Sequence, residues 1–298
     1  MRPLIFALPG NEPLADRLAE HMEAERGSIF AKSFPDGESY LRLESDVVGR
    51  DILLICTLDR PDIKILPLCF AAATAKELGA SSVGLVAPYL AYMRQDTRFQ
   101  PGEAVSSTYF ARIIEPWFDR LVTIDPHLHR NATLSEVYSI SNTVLHAADF
   151  MADWIAANIP DPILIGPDEE SRQWVSAVAH RASAPFVVLE KIRRGDRDVE
   201  VSVPDVEQWK HRTPVLIDDI ISTATTMIET VGHIRHAGLS APVAIGVHAV
   251  FAGGAYEALQ SSGCARIVTT NTITHPSNAI DITSLLAKGL GSEPISQR

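Results

Sequence analysis

Apolar residues in this chain come in short runs, separated by longer stretches in which they recur every third or fourth position. The runs cover residues 4–8, 51–56, 82–87, 121–124, 163–165, 186–189, 215–217, 243–250 and 266–270. Several are rich in Val, Ile and Leu without polar alternation, the pattern of strands buried on both faces in a parallel sheet. The intervening stretches read as helices. Residues 11–25 place Leu14, Leu18 and Met22 at i, i+4 and i+8. Residues 63–78 stop at Gly79, and residues 106–114 open with serines and end before Pro116. Residues 142–158, 171–181 and 225–236 continue the rhythm. Strand and helix in alternation predict an α/β fold with mainly parallel sheets. The pattern runs twice, over residues 1–145 and 146–298, with no Pro/Gly/Ser-rich linker between, so two closely packed domains are expected.

Charge narrows the function. The net charge is -11, and no basic run is longer than that from Lys191 to Arg194, where a duplex binder usually shows a basic face, which argues against nucleic acid as a partner. An acidic protein that handles phosphates must hold them with local cations, backbone N–H groups or a metal. The three cysteines, Cys56, Cys69 and Cys264, form no CxxC pair and fit a reducing compartment. No run reaches the length of a membrane span, and the start of the chain is too short in apolar residues for a signal core. A cytoplasmic enzyme or binding protein is expected. The P-loop GxxxxGK[ST], a GxGxxG after the first strand and the GxSxG elbow are all absent.

In α/β folds, ligands gather where strands end. The richest such place is Val215-Leu-Ile-Asp218-Asp219-Ile-Ile-Ser222-Thr223-Ala224-Thr225-Thr226. An apolar strand ends in two carboxylates, a turn of small hydroxyl residues follows, and a helix begins. Free N–H groups at the helix start suit an anion, and paired acids suit ribose hydroxyls or a cation. Two adjacent buried carboxylates without a partner would be costly.

This segment resembles the ribose-phosphate loop of the type I phosphoribosyltransferase superfamily. Further segments follow in order: Phe34-Pro35-Asp36-Gly37-Glu38, Met93-Arg94-Gln95-Asp96-Thr97-Arg98, Asp125-Pro126-His127-Leu128-His129, Gly166-Pro167-Asp168, Lys191-Ile192-Arg193 and Asn271-Thr272-Ile273. Taken singly, each reads as an ordinary polar loop; together they resemble the ribose-phosphate diphosphokinase family. The resemblance implies two tandem phosphoribosyltransferase-like domains, ATP and ribose 5-phosphate as substrates, Mg²⁺, and a homo-oligomer in which a neighbouring subunit completes the ATP site. It implies Asp36, Glu38, Arg94, Gln95 and Asp96 for ATP, and His127 and Asp168 for metal. It assigns Asp168, Asp218, Asp219, Ser222, Thr223, Ala224, Thr225 and Thr226 to ribose 5-phosphate, and Lys191 and Arg193 to catalysis. A transferase using a nucleobase and a regulatory paralogue are the alternatives.

Two departures matter. The family's turn carries adjacent glycines where this chain has Ala224 and Thr225, so any positive φ there falls on residues that resist it. Glu169 and Glu170 follow Asp168, adding negative charge where anions are expected, unless they point away or serve a helix dipole.

Overall fold

The computed structural model describes residues 2–193, 199–202 and 206–291. They form two compact units. The first comprises residues 2–145 together with Thr272–Thr274 and residues 282–291. The second comprises His146–Asn271 and His275–Asp281.

The first unit contains β1 (Leu4–Ala7), α1 (Glu12–Met22), β2 (Glu25–Arg26), β3 (Ile29–Ser33), β4 (Ser39–Leu43), β5 (Asp51–Ile55), α2 (Ile65–Glu77), β6 (Ser82–Ala87), α3 (Ser106–Ile114), β7 (Arg120–Ile124) and β8 (Ser141–Leu145). Its sheet is parallel throughout, in the order β2-β1-β5-β6-β7-β8. Every residue of β1 and β5 is buried, which is why these strands lack polar alternation.

The second unit contains α4 (Ala148–Asn158), β9 (Pro162–Gly166), α5 (Arg172–Ala182), β10 (Phe186–Val188), β11 (Glu190–Arg193), β12 (Val199–Ser202), α6 (Val206–Trp209), β13 (Thr213–Ile221), α7 (Thr225–His236), β14 (Val243–Ala249), α8 (Ala255–Ser261), β15 (Arg266–Thr270) and β16 (Asn278–Ile280). Its sheet is also parallel, in the order β10-β9-β13-β14-β15-β16. Taken in chain order, both sheets run 2-1-3-4-5-6. Each unit also inserts an antiparallel hairpin, β3–β4 or β11–β12, between its second and third sheet strands. The doubling seen in the sequence pattern is therefore a doubling of topology.

The last helix, α9 (Thr283–Gly291), belongs to the first unit, although the sequence reading gives all of 146–298 to the second. It packs against α1, and Gly289 lies so close to β8 that an added Cβ would sit 2.7 Å from Leu145 Cδ1. A second difference concerns residues 142–158, expected as one helix. Ser141–Leu145 is instead an edge strand on β7, and the helix starts only at Ala148. Asn, Thr and Val are weak helix formers, and the open edge of β7 offers them a ladder. The hairpins were not expected as such: the strand after residues 34–38 was, but its partner β3 has no buried residue and an apolar run only three residues long.

Candidate functional site

In the second unit the strand order reverses between β9 and β13, which makes their carboxyl ends the crevice where such sheets take ligands. β9 leads to Asp168. β13 runs further than its apolar residues suggest, to Ile221, so Asp218 and Asp219 stand in the strand's last turns with Asp218 opposite Gly246 of β14. The two acids are half-buried, and the Asp219 N–H donates to Asp218 Oδ1 at 3.0 Å. The Asp218 carboxyl is held well above the ordinary carboxylate range. Packing strips water from it, the Asp219 charge adds to the effect, and Asp168 contributes a smaller share of the same sign. This arrangement favours whatever brings hydrogen-bond donors or positive charge to the acids.

Beyond Ile221, Ser222 is half-buried and Thr223, Thr225 and Thr226 are exposed. Ala224 precedes α7 in the left-handed region, with φ 57 and ψ 10, and supplies no side-chain cap. The first N–H groups of α7 are thus left to an outside acceptor, beside four hydroxyls. Thr225 is the first helical residue, so the positive φ falls on Ala224 alone. Thr225 Oγ1 donates to Thr223 Oγ1 at 3.1 Å, inside the turn.

Asp168 caps a single 3-10 turn, Glu169–Ser171, by accepting from the Ser171 N–H at 3.2 Å. Glu169 pairs with Arg172 at the surface, Oε2 to Nη2 2.7 Å, and so turns its charge onto the next helix. The side chain of Glu170 lies outside the described residues, as do those of Lys191 and Arg193 on β11.

In the first unit the matching reversal lies between β1 and β5, and the protein's own polar groups fill it. Buried Asn11 accepts the Thr57 N–H on Oδ1 at 2.8 Å, and Thr57 Oγ1 donates to the Thr272 carbonyl at 2.7 Å. Thr272 of the sequence motif is therefore part of this internal seal. The expected ATP residues come instead from the loop after β6 and the β3–β4 turn, and the expected metal residue His127 from the loop after β7. Arg94 is exposed. Gln95 accepts from Ser106 Oγ at 3.2 Å and receives the Ser107 N–H on its carbonyl at 3.3 Å, fixing the loop to the start of α3. The Asp96 side chain is 1% exposed and pairs with Arg130 at 2.8 Å. After β7, Asp125 takes a φ of 37, and the rings of His127 and His129 stack with centroids 5.9 Å apart. Asp36 and Glu38 are exposed on the β3–β4 turn, where Asp36 Oδ1 accepts the Glu38 N–H at 3.1 Å and Gly37 takes the φ of 93 that closes the turn.

Among the described residues, no three His, Cys, Asp or Glu side chains are grouped as a protein-only metal cage. The donor set nonetheless suits a hard cation. Mg²⁺ keeps several waters and binds through one or two carboxylates plus substrate phosphates, and Asp168, Asp218 and Asp219 supply such oxygens.

Comparison with known proteins gives the family. Residues 3–117 match the family model of the N-terminal domain of ribose phosphate pyrophosphokinase, and residues 133–284 match that of the phosphoribosyl transferase domain. The chain is 30% identical over 289 residues to a ribose-phosphate pyrophosphokinase of Methanopyrus kandleri, covering 96% of this chain and 98% of that protein. It belongs to the ribose-phosphate pyrophosphokinase family. A second relative of the same name, from Saccharolobus solfataricus, is 33% identical over 245 residues, 81% of this chain and 83% of that one. The fold matches the crystal structure of phosphoribosylpyrophosphate synthetase from Mycobacterium smegmatis with a TM-score of 0.85, at 22% identity and 98% coverage of each chain.

Within this family member, two features escape a reading of the sequence. The loop after β14 braces the Ser222–Thr226 turn: the Phe251 N–H donates to the Ile221 carbonyl at 2.9 Å and the Ala252 N–H to the Ser222 carbonyl at 3.1 Å. Phe251 takes a φ of 36, and its ring packs on His275 at 4.5 Å and Tyr256 at 5.2 Å. The glycine pair Gly253-Gly254, shortly after the end of an apolar strand, was the available signal. The other feature is Arg130, whose partner lies 34 residues away and leaves no local trace.

Proposed function

We propose that this protein transfers the diphosphoryl group of ATP to the anomeric hydroxyl of ribose 5-phosphate, giving phosphoribosyl pyrophosphate and AMP. The observation that carries the proposal is the switch point of the second unit, where paired acids stand beside an uncapped helix start ringed with hydroxyls, in a chain that matches its family along almost its whole length. In the reaction the sugar oxygen forms a bond to the β-phosphorus, and the bond from that phosphorus to the oxygen bridging to the α-phosphorus breaks. Catalysis of such a step is mainly positioning and neutralisation of charge.

Asp218 and Asp219 accept hydrogen bonds from the ribose hydroxyls, which relieves the crowding that raises Asp218. The backbone of the Ser222–Thr226 turn and its hydroxyls hold the 5-phosphate. Arg94 and Gln95 flank ATP, with Asp96 behind them. Asp36 and Glu38 reach the adenine of a neighbouring copy, which requires a homo-oligomer. Exposed Leu66 and Phe70, one turn apart on α2, give the first unit an apolar face suited to such an assembly. Lys191 and Arg193 meet charge that develops in the transition state. Asp168 and His127 would hold Mg²⁺, whose charge would offset the negative charge of the triphosphate. No helix among the described residues is long and apolar enough to cross a membrane, in keeping with a cytoplasmic enzyme.

Two of the departures noted in the sequence, at Thr225 and Glu169, do not obstruct this reading. Thr225 needs no positive φ, and Glu169 is engaged by Arg172. The deciding experiment is AMP release from ATP and Mg²⁺, with and without ribose 5-phosphate. AMP formed only with the sugar phosphate supports the synthase. Nucleotide binding without any AMP would favour the regulatory paralogue.

A further inference from the structure

Asp96 is expected among the ATP residues, yet its side chain is 1% exposed and unsuited to touching a substrate. Its Oδ1 receives Arg130 Nη1 at 2.8 Å, while its Oδ2 is buried without a hydrogen-bond partner. A buried carboxylate satisfied on one oxygen depends heavily on the cation that serves it. Arg130 is half-exposed, and its guanidinium also lies over the Phe99 ring, 5.1 Å from the centroid. The two residues belong to different loops. Asp96 follows Arg94 and Gln95 after β6, and Arg130 follows His127 and His129 after β7.

Elsewhere the β6 loop is held by contacts within itself and to α3. Arg98 Nε donates to the Glu103 carbonyl at 2.9 Å, and the Glu103 carboxylate accepts the N–H groups of Phe99 and Gln100 at 2.8 and 3.0 Å. Gln95 is tied to Ser106 and Ser107. None of these contacts sets the loop against its neighbour on the sheet. The Asp96–Arg130 pair does so, on the residue directly after Gln95.

We infer that Arg130 is a positioning residue for ATP: through buried Asp96 it locks the loop bearing Arg94 and Gln95 against the loop bearing His127. This inference rests on the reading of that loop as the ATP site. The rigid planar fork of arginine suits the role better than lysine, because it serves the carboxylate and covers the Phe99 ring at the same time.

The test compares wild type with R130Q, R130K, D96N and the D96N/R130Q double variant. KM for ATP, KM for ribose 5-phosphate and kcat are measured, with direct ATP binding and thermal unfolding alongside. In R130Q, KM for ATP should rise about tenfold or more, a typical cost of losing an outer support, while KM for ribose 5-phosphate stays within about twofold. R130K should fall between wild type and R130Q. The double variant should bind ATP better than R130Q, because no unpaired charge is left buried. Unchanged ATP binding and KM in a folded R130Q overturns the inference. So does a double variant no better than R130Q, or an equal rise of both KM values. If R130Q does not fold, R130K and the double variant decide by the same criteria. Wild type that binds ATP but makes no AMP would refute the proposed reaction, while the direct binding assay would still judge Arg130.

Discussion

Ala224 occupies a backbone conformation that disfavours any residue with a Cβ, at a cost of about 1 kcal/mol, where a glycine would be free of it. The turn is held there by its surroundings, including the two hydrogen bonds from the β14 loop. Ala224→Gly relieves the strain but loosens the unfolded chain by a comparable amount, so urea unfolding should move by less than about 1 kcal/mol. Ala224→Val adds a β-branched side chain at positive φ and should destabilise by about 2 kcal/mol, with a raised KM for ribose 5-phosphate. A valine variant as stable as wild type would show that the turn is not held left-handed. Asp218 is a second residue-scale test. Its pKa is raised on folding from an ordinary value near 3.8, so the folded protein holds a proton that the unfolded chain releases. The stability this adds is fully present at low pH and is lost as pH rises from there through the raised value. Asp218→Asn should remove that fall in urea unfolding without ligand, be the more stable protein at neutral pH, and lose ribose 5-phosphate binding.

At the scale of elements, each of the two hairpins is inserted at the same point of its unit, and each carries residues assigned to ATP chemistry. β3–β4 presents Asp36 and Glu38 on an exposed turn closed by the positive φ of Gly37. β11 carries Lys191 and Arg193 in a ladder with β12, Lys191 opposite Val201 and Arg193 opposite Val199. Lys191→Ala should lower kcat by about 10²-fold with a smaller effect on KM, as expected of a charge met mainly in the transition state. Normal turnover in that variant would remove the hairpin from the mechanism. The same placement explains why the hairpins were hard to read. Their strands are only four or five residues long, so no long apolar run announces them, and the residues that matter stand out only by resemblance.

At the scale of the molecule, the chain uses one topology twice for different ends. The second unit keeps its switch point open, lined by acids and an uncapped helix. The first unit closes the equivalent point with Asn11, Thr57 and Thr272, and its expected ligand residues lie on the β3–β4 turn and in the loops after β6 and β7. Its construction also recruits the end of the chain, since α9 packs on α1 and against Leu145. Gly289→Val forces a side chain into that contact and should cost about 1–3 kcal/mol by overpacking. The loss should appear in thermal unfolding, with protease cleavage sites exposed first in residues 2–145. Early cleavage in the second unit instead would place the weak point elsewhere.

The sequence by itself determined the central strands, the helices between them and the order of the motifs. Doubly buried strands and amphipathic helices are local consequences of which residues avoid water, and residues 51–56, 82–87 and 266–270 could hardly be read otherwise. The acids and hydroxyls after residue 217 were legible for the same reason, since chemistry concentrated at a strand end is a local pattern. Tertiary structure alone decided the edge strand at Ser141–Leu145, the return of α9 to the first unit, the seal around Thr57 and the pairing of Asp96 with Arg130. Each depends on a partner distant in sequence, and a residue's own neighbours carry no record of what the folded chain brings against it.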